Sequence, residues 1–411
     1  MSSDTSAAEL FDPMSPEYTA CPYAAFARAR QTEPVVHQAA LDEWIVTGRA
    51  EIEAVQRDHG DFTSRYNLDG SYPFCPEAKE ILDGSLFFRV ALYNVDPPAH
   101  TRFRNLVSEF FSPRVLRRRE ASIREIAARL AAGLADKDGC DLLQEFAYPL
   151  PMTVICDIIG IPEEDRATVK AWNNDWLALQ VVPLPPEQQV HCAGNVVTYE
   201  KYVLGLLERR RSEPADDLLT ELVRAADADD PVCTVEDAVV ALRVMIAAGH
   251  ETTTNLISNA VHQLLRERDR WEALVKDPTL AGAAVEETLR FDSSVQGAPR
   301  VATRARRIGD TEVPEGARLR VMFAAAGRDP EWVEDPDTFR LDRQGPPRHL
   351  GFGHGIHFCV GAALARLEAG IALETLVETF PGLRLADGFE PRYLPGGFVF
   401  RGLAELPVTW S

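Results

Sequence analysis

The stretch HLGFGHGIHFCVGAALARLEAG, His349 to Gly370, places one cysteine, Cys359, between a loop of small residues and an apolar-periodic run that reads as a helix. Free N–H groups and aligned peptide dipoles at a helix start favour negative charge and depress a thiol pKa. Cys359 is therefore set up to be an anion. Gly351, Gly353, Gly355 and Gly361 remove side chains on both sides of the sulfur, so backbone can approach something flat and large and amides can point at the sulfur.

The full spacing Phe352-x-x-Gly355-x-His357-x-Cys359-x-Gly361 sharpens this reading. Neither a disulfide nor a zinc site asks for it, since no second cysteine lies nearby. A lone cysteine is most often a buried, inert thiol, but one thiolate with an aromatic and a cationic neighbour suits a haem iron ligand.

On these residues the segment resembles the haem-binding loop of the cytochrome P-450 family. The resemblance implies that Cys359 is the axial ligand of haem b, that Phe352 packs beside the sulfur, that His357 reaches a haem propionate, and that Gly361 belongs to the same cofactor loop.

Composition bounds the rest. Of 411 residues, 45% are hydrophobic and 26% charged, an ordinary globular balance. With 43 Lys and Arg against 63 Asp and Glu the net charge is −20, which would repel a phosphate backbone and argues against nucleic acid as a partner. The start, MSSDTSAAELFDP, carries acids where a secretion signal has bases, and no run offers the roughly 20 uncharged apolar residues a membrane anchor needs. Seven cysteines without CxxC spacing fit a reducing compartment. The expectation is a cytoplasmic monomer.

Residues 1–20 read as a polar, poorly ordered lead-in to a domain spanning 21–411. Pro22 to Arg30 predicts a short helix, and Pro34–Val36 with Trp44–Val46 predicts paired strands around Ala40–Glu43. Residues 61–95 are irregular and rich in aromatics, among them Phe62, Tyr66, Phe87, Phe88 and Tyr93. They either plug a loop onto the core or, as the resemblance implies, form a mobile cap in which Phe87, Phe88 and Leu92 line a substrate pocket.

After Asp96-Pro97-Pro98 a helix start puts His100 and Arg104 one turn apart, a pair able to clamp carboxylates; the family pattern places both on the propionates. Arg114, Arg117, Arg118 and Arg119 are a solvated face or a docking patch. Because the chain has no flavin or iron–sulfur segment, the resemblance implies an external ferredoxin-type electron donor, steered by such a patch. From 121 to 225 the pattern is helical, with breaks at Pro149, Pro151, Gly160–Pro162, Pro183–Pro186 and Pro214. The apolar patch around Trp172, Trp176 and Leu179 is core or pocket lid.

Thr234 to Asp237 is a capping box, and one helix is predicted from Val235 to Leu265. In its middle stands Ala248-Gly249-His250-Glu251-Thr252-Thr253-Thr254, where glycine, β-branched residues and carbonyl-seeking hydroxyls predict a local bulge. An acid beside an alcohol makes a proton path, with Glu251 relaying protons and the Thr252 hydroxyl holding oxygen and its water. The family's Ala/Gly-Gly-x-Asp/Glu-Thr-Thr signature matches here and sets Ala248 and Gly249 against the haem, with Met245 towards substrate.

Glu287 and Arg290 are three apart on one helical face, and the resemblance makes them a structural pair behind the haem, with Arg300 a further propionate donor. The family supplies a third member as Arg or His where this chain has Thr338, leaving Arg340 and Arg343 as candidates. Gly327 also stands where the family more often has Asn. Val295 flanks a strand-like Gln296–Ala298, and in the turn Pro395–Phe400 the side chains of Phe398 and Val399 either touch substrate or pack a hairpin.

The fold expected is mainly α with a smaller β region, the cytochrome P-450 fold in a single large domain. The function expected is insertion of one atom of O₂ into a hydrophobic small molecule, with electrons from a ferredoxin and its reductase. A peroxide-driven haem–thiolate peroxygenase and a non-catalytic haem–thiolate sensor are the alternatives.

Overall fold

The structure is a computed structural model that describes residues 11–13, 15–65, 72–90, 94–345, 349–394 and 398–410. In chain order it begins with α1 (Pro16–Ala20), α2 (Tyr23–Thr32), β1 (Val35–Gln38), β2 (Glu43–Val46), α3 (Arg49–Arg57) and β3 (Phe62–Thr63). Then follow α4 (Pro76–Asp83), α5 (Ala99–Ser108), α6 (Pro113–Ala132), β4 (Gly139–Asp141), α7 (Pro149–Ile159) and α8 (Arg166–Val181). The long helices α9 (Pro186–Ser212) and α11 (Val235–Leu265) bracket α10 (Leu218–Ala226). The chain ends through α12 (Arg268–Lys276), α13 (Ala281–Phe291), β5 (Ala298–Ala302), β6 (Arg306–Ile308), β7 (Thr311–Val313), β8 (Arg318–Val321), α14 (Phe323–Ala326), α15 (Ala362–Thr379), β9 (Arg384–Leu385) and β10 (Pro407–Thr409). The architecture is mainly α with a smaller β region.

Two compact units emerge from how the chain packs. The first takes the described residues of 1–63, 117–150 and 252–411 and holds every strand named above. Its main sheet runs β1-β2-β8-β5-β3, antiparallel except for the parallel pair β2–β8. The β1–β2 hairpin forms where alternation predicts it, and its turn uses Asp42 at φ 50°, a conformation aspartate tolerates. Alternate residues Leu319 and Val321 of β8 point into a core with Val46, Ile52, Phe62, Phe323 and Leu350. Leu350 carries the start of the cysteine loop into that core, which anchors one end of the loop by apolar burial.

The second unit takes the described residues of 64–116 and 151–251 and is helical throughout its named elements. Its core gathers Ala78 and Leu82 of α4, Phe87, Trp176 and Leu179 of α8, Ala193 and Val196 of α9, and Ala247 of α11. Proline punctuates these helices by starting them: Pro76 and Pro186 occupy first-turn positions, where their missing N–H costs nothing. Pro149 and Pro151, expected as breaks, stand in the first turn of α7 for the same reason. No helix among the described residues is long and apolar enough to cross a membrane.

Of the lead-in, residues 11–13 and 15–20 are described. Ser15 caps α1 by accepting the Tyr18 N–H at 3.1 Å, and Phe11 is fully buried against Tyr18 and Phe26.

Candidate active site

The cysteine loop lies in the first unit. The Cys359 N–H donates to the Phe352 carbonyl at 2.9 Å, closing the loop on itself. Gly353 and Gly355 both adopt φ +73°, which favours glycine, and a Cβ on Gly355 would stand 2.5 Å from the Gln56 carbonyl at the end of α3. Gly361 is the N-cap of α15, and a Cβ there would come within 3.9 Å of Cys359 Sγ. The sulfur thus sits at a helix start with no side chain crowding it from Gly361, and Cys359 is exposed. None of the seven cysteines is joined in a disulfide.

Two predicted cations share this unit. His357, half-buried, ends a short 3-10 turn from Gly355, and Arg300 on β5 is 5% exposed, its Nη2 donating to Gln56 Oε1 at 2.9 Å. A thiol at an open helix start, flanked by glycines, with a buried guanidinium on the adjoining sheet, is a donor set that fits haem and its propionates.

In the second unit, α5 brings His100, 3% exposed, and half-buried Arg104 one turn apart. On α11 the 3.6-residue period places Ala248, Glu251 and Thr252 on one face, and the boundary between the units falls after Glu251. Ala248 is exposed and the other two are half-exposed, whereas Ala247, His250 and Thr253 are buried. The predicted bulge is absent: α11 runs as unbroken α-helix. His250 Nδ1 makes a side-chain bond of 2.7 Å to the Ile246 carbonyl without opening the ladder, so the proton sits on Nδ1. Burial lowers the His250 pKa, which keeps the ring neutral, and its Nε2 stands 3.7 Å from Glu251 Oε2.

Gly249, expected against the haem, has a packing reason of its own. A Cβ there would lie 2.6 Å from Ile155 Cγ1, so the glycine lets α7 approach α11.

The cytochrome P-450 family model matches residues 168–383. Cytochrome P-450 107B1 of Saccharopolyspora erythraea is 42% identical over 318 residues, covering 77% of this chain and 76% of that protein. The vitamin D(3) 25-hydroxylase of Pseudonocardia autotrophica is 35% identical, covering 100% and 98%. The chain belongs to the cytochrome P-450 family. Among solved structures, cytochrome P-450 CREJ in complex with (4-ethylphenyl) dihydrogen phosphate superposes with TM-score 0.91 at 30% identity, covering 98% of this chain and 99% of that one. The chain has the P-450 fold, is a P-450 monooxygenase, and its cofactor is haem b.

In this P-450 the structural pair is a triad. Arg290 Nη2 and Nε bind Glu287 Oε1 and Oε2 at 2.7 and 2.8 Å, and Arg343 Nε reaches both oxygens at 3.0 Å. Thr338 contributes only its carbonyl, which accepts from both arginines. Gly327 also acquires a reason: a Cβ there would stand 2.2 Å from the Arg290 carbonyl, and the Gly327 carbonyl accepts from Arg290 Nη1 at 2.9 Å.

The predicted pocket residues divide. Phe87 and Leu179 lie in the core of the second unit, 0% and 2% exposed, and Phe398 packs edge-on against Tyr18 at 5.5 Å in the core of the first. Phe88 is 41% exposed, Met245 is buried on α11, Val295 bridges Phe400, and the Val399 carbonyl accepts from Gln296 N. Leu92 lies outside the described residues.

Sequence reasoning missed a buried ion pair in the second unit, Arg243 with Glu200 at 2.7 Å. The signal was present as a lone arginine in the apolar run VVALRVMIAAG of α11, since a charge there demands a buried partner.

Proposed function

We propose that this P-450 oxidises a hydrophobic small molecule with O₂, taking electrons from a ferredoxin-type partner and protons through Glu251 and Thr252. When bound, haem b supplies the oxygen chemistry; Cys359 is its ligand, and His357, Arg300, His100 and Arg104 hold its propionates. Phe352 and Gly361 flank the sulfur, and Ala248 offers a small surface on α11.

One observation carries the reading: Ala248, Glu251 and Thr252 share the face of α11 whose apolar member is exposed. Glu251 is 28% exposed at its side chain, so it takes up a proton at its carboxylate from solvent and passes it to the neighbouring Thr252 hydroxyl, which orders a water. Burial lowers the pKa of His250 and keeps its ring neutral beside Glu251.

Phe87, Phe88, Leu92, Leu179, Met245, Val295, Phe398 and Val399 are the candidates for contact with substrate. The named relatives act on or bind molecules as different as vitamin D(3) and an ethylphenyl phosphate, which points to no single compound. For the electron donor, Arg114, Arg117 and Arg118 are exposed on α6 in a chain of net charge −20, a local basic patch suited to an acidic ferredoxin. A cytoplasmic setting is in keeping with seven cysteines outside disulfides; the monomeric state is carried as part of the same proposal.

The test compares reductant consumed with product formed, using a surrogate ferredoxin and reductase. Thr252→Ala is expected to keep reductant use and lose most of the product, and Glu251→Gln to slow both. A Thr252→Ala enzyme as well coupled as the parent would refute the relay.

A further inference from the structure

Glu286 stands one residue before the triad's Glu287 on α13 and has partners of its own. His349 Nε2 lies 3.0 Å from Glu286 Oε2, and Arg366 of α15 donates Nε and Nη2 to Oε1 and Oε2 at 2.5 and 3.2 Å. The Gly351 N–H donates to His349 Nδ1 at 3.1 Å. That amide makes Nδ1 the acceptor nitrogen, so the proton of the neutral ring sits on Nε2 and is donated to Glu286. Burial raises the Glu286 pKa, but hydrogen bonds from His349 and Arg366 outweigh it and bring the carboxyl down to about 2.

This carboxylate therefore ties together two parts of the cysteine loop. Through His349 it fixes the entry, at Gly351. Through Arg366 it fixes a guanidinium 4.5 Å from the centroid of the Phe352 ring, and Phe352 is the residue whose carbonyl takes the Cys359 N–H. As built, the cluster sets one carboxylate, Glu286, against one guanidinium, Arg366, with the His349 ring between Glu286 and the Gly351 amide. Glu286 and Arg366 are 24% and 37% exposed at their side chains, so solvent screens an imbalance only in part.

We propose that Glu286 and Arg366, with His349 setting the entry of the loop, are positioning residues for the thiolate, and that their balanced charge behind the Phe352 ring sets the reduction potential of the haem that Cys359 ligates. An added net positive charge near the iron favours the electron-rich reduced state and raises the potential; a net negative charge lowers it.

The experiment is a redox titration of haem-loaded parent, Glu286→Gln, Arg366→Gln, the double variant, and Arg366→Lys. The inference rests on Cys359 being the ligand, which the thiolate-type absorbance of the parent's reduced carbon monoxide complex reads separately. Expected are a positive shift for Glu286→Gln, a negative shift for Arg366→Gln, a return towards the parent potential in the double variant, and near-parent behaviour for Arg366→Lys, which keeps the charge. A cluster that only holds shape would move both single variants in one direction, or neither, with no recovery in the double. Either result overturns the proposal, as does failure of the singles and the double alike to take up haem.

Discussion

Arg343 Nε stands 3.0 Å from each carboxylate oxygen of Glu287, fifty-six residues away in sequence, and so fills the place that Thr338 leaves open. Arg340, the other candidate, gives Glu287 only its backbone N–H at 2.8 Å while its guanidinium turns to Asp342. Removing Arg343 leaves a buried carboxylate short of a charged donor. Arg343→Ala is expected to cost about 2–3 kcal/mol in denaturant unfolding, and Arg340→Ala no more than about 0.5. Equal losses would put Arg340 in the triad.

The buried pair Arg243–Glu200 fastens a segment of the second unit. Glu200 Oε2 accepts the Leu86 N–H at 3.0 Å, and Arg243 Nη2 donates to the carbonyls of Leu86 and Phe87 at 3.3 and 3.4 Å. Arg243→Met strands Glu200 in the core and is expected to cost about 3–5 kcal/mol, with much of that regained when Glu200→Met is added. Hydrogen exchange at the Leu86 amide should accelerate in the single variant. Unchanged protection there would show that the segment is held by apolar packing alone.

Gly249→Ala tests the close approach of α7 and α11. With Ile155 Cγ1 2.6 Å from the new Cβ, overpacking is expected to cost about 1–3 kcal/mol despite alanine's better helix propensity. Ile155→Ala should lower the penalty when combined with it. If thermal unfolding shows the two changes to be additive, the contact is not what requires the glycine.

His262 gives the fold an acid-sensitive point. It is 2% exposed, its Nδ1 has no hydrogen-bond partner among the described residues, and burial lowers its pKa to about 4. The charge of Asp292 raises it and those of Arg266 and Arg401 lower it further. Between the unfolded value near 6.5 and this folded value the unfolded chain binds more protons, so stability is full above the upper limit and falls as pH drops through the window. The loss expected from this residue by pH 5 is about 2 kcal/mol. His262→Leu should remove that share of the acid dependence in unfolding measured at pH 7.5 and pH 5; an unaltered pH profile would contradict it.

What the sequence yields depends on the range of the interaction. The cysteine loop was legible because its signals are local: glycines at fixed offsets and a helix start three residues beyond Cys359. The limits of α11 and the β1–β2 hairpin follow from a capping box and from alternation. By contrast, composition says that Phe87 and Leu179 are apolar and not what they pack against, and their meeting with Trp176 and Val196 is visible only in the fold. The choice of Arg343 over Arg340 depends on backbone carried through Asp335, at φ 45°, a turn that residue type alone does not specify. Glu286, His349 and Arg366 were each in plain view, but their meeting at one carboxylate joins three separate positions in the chain.

The account stands on Cys359 as the thiolate that holds haem at the start of α15. Its most direct measurement is the absorbance of the reduced carbon monoxide complex of haem-loaded parent and Cys359→His proteins. The parent is expected to show the thiolate-type band that gives the P-450 family its name, and the variant to lose it in favour of an imidazole-type band. A parent without that band, or a variant that keeps it, would contradict the assignment.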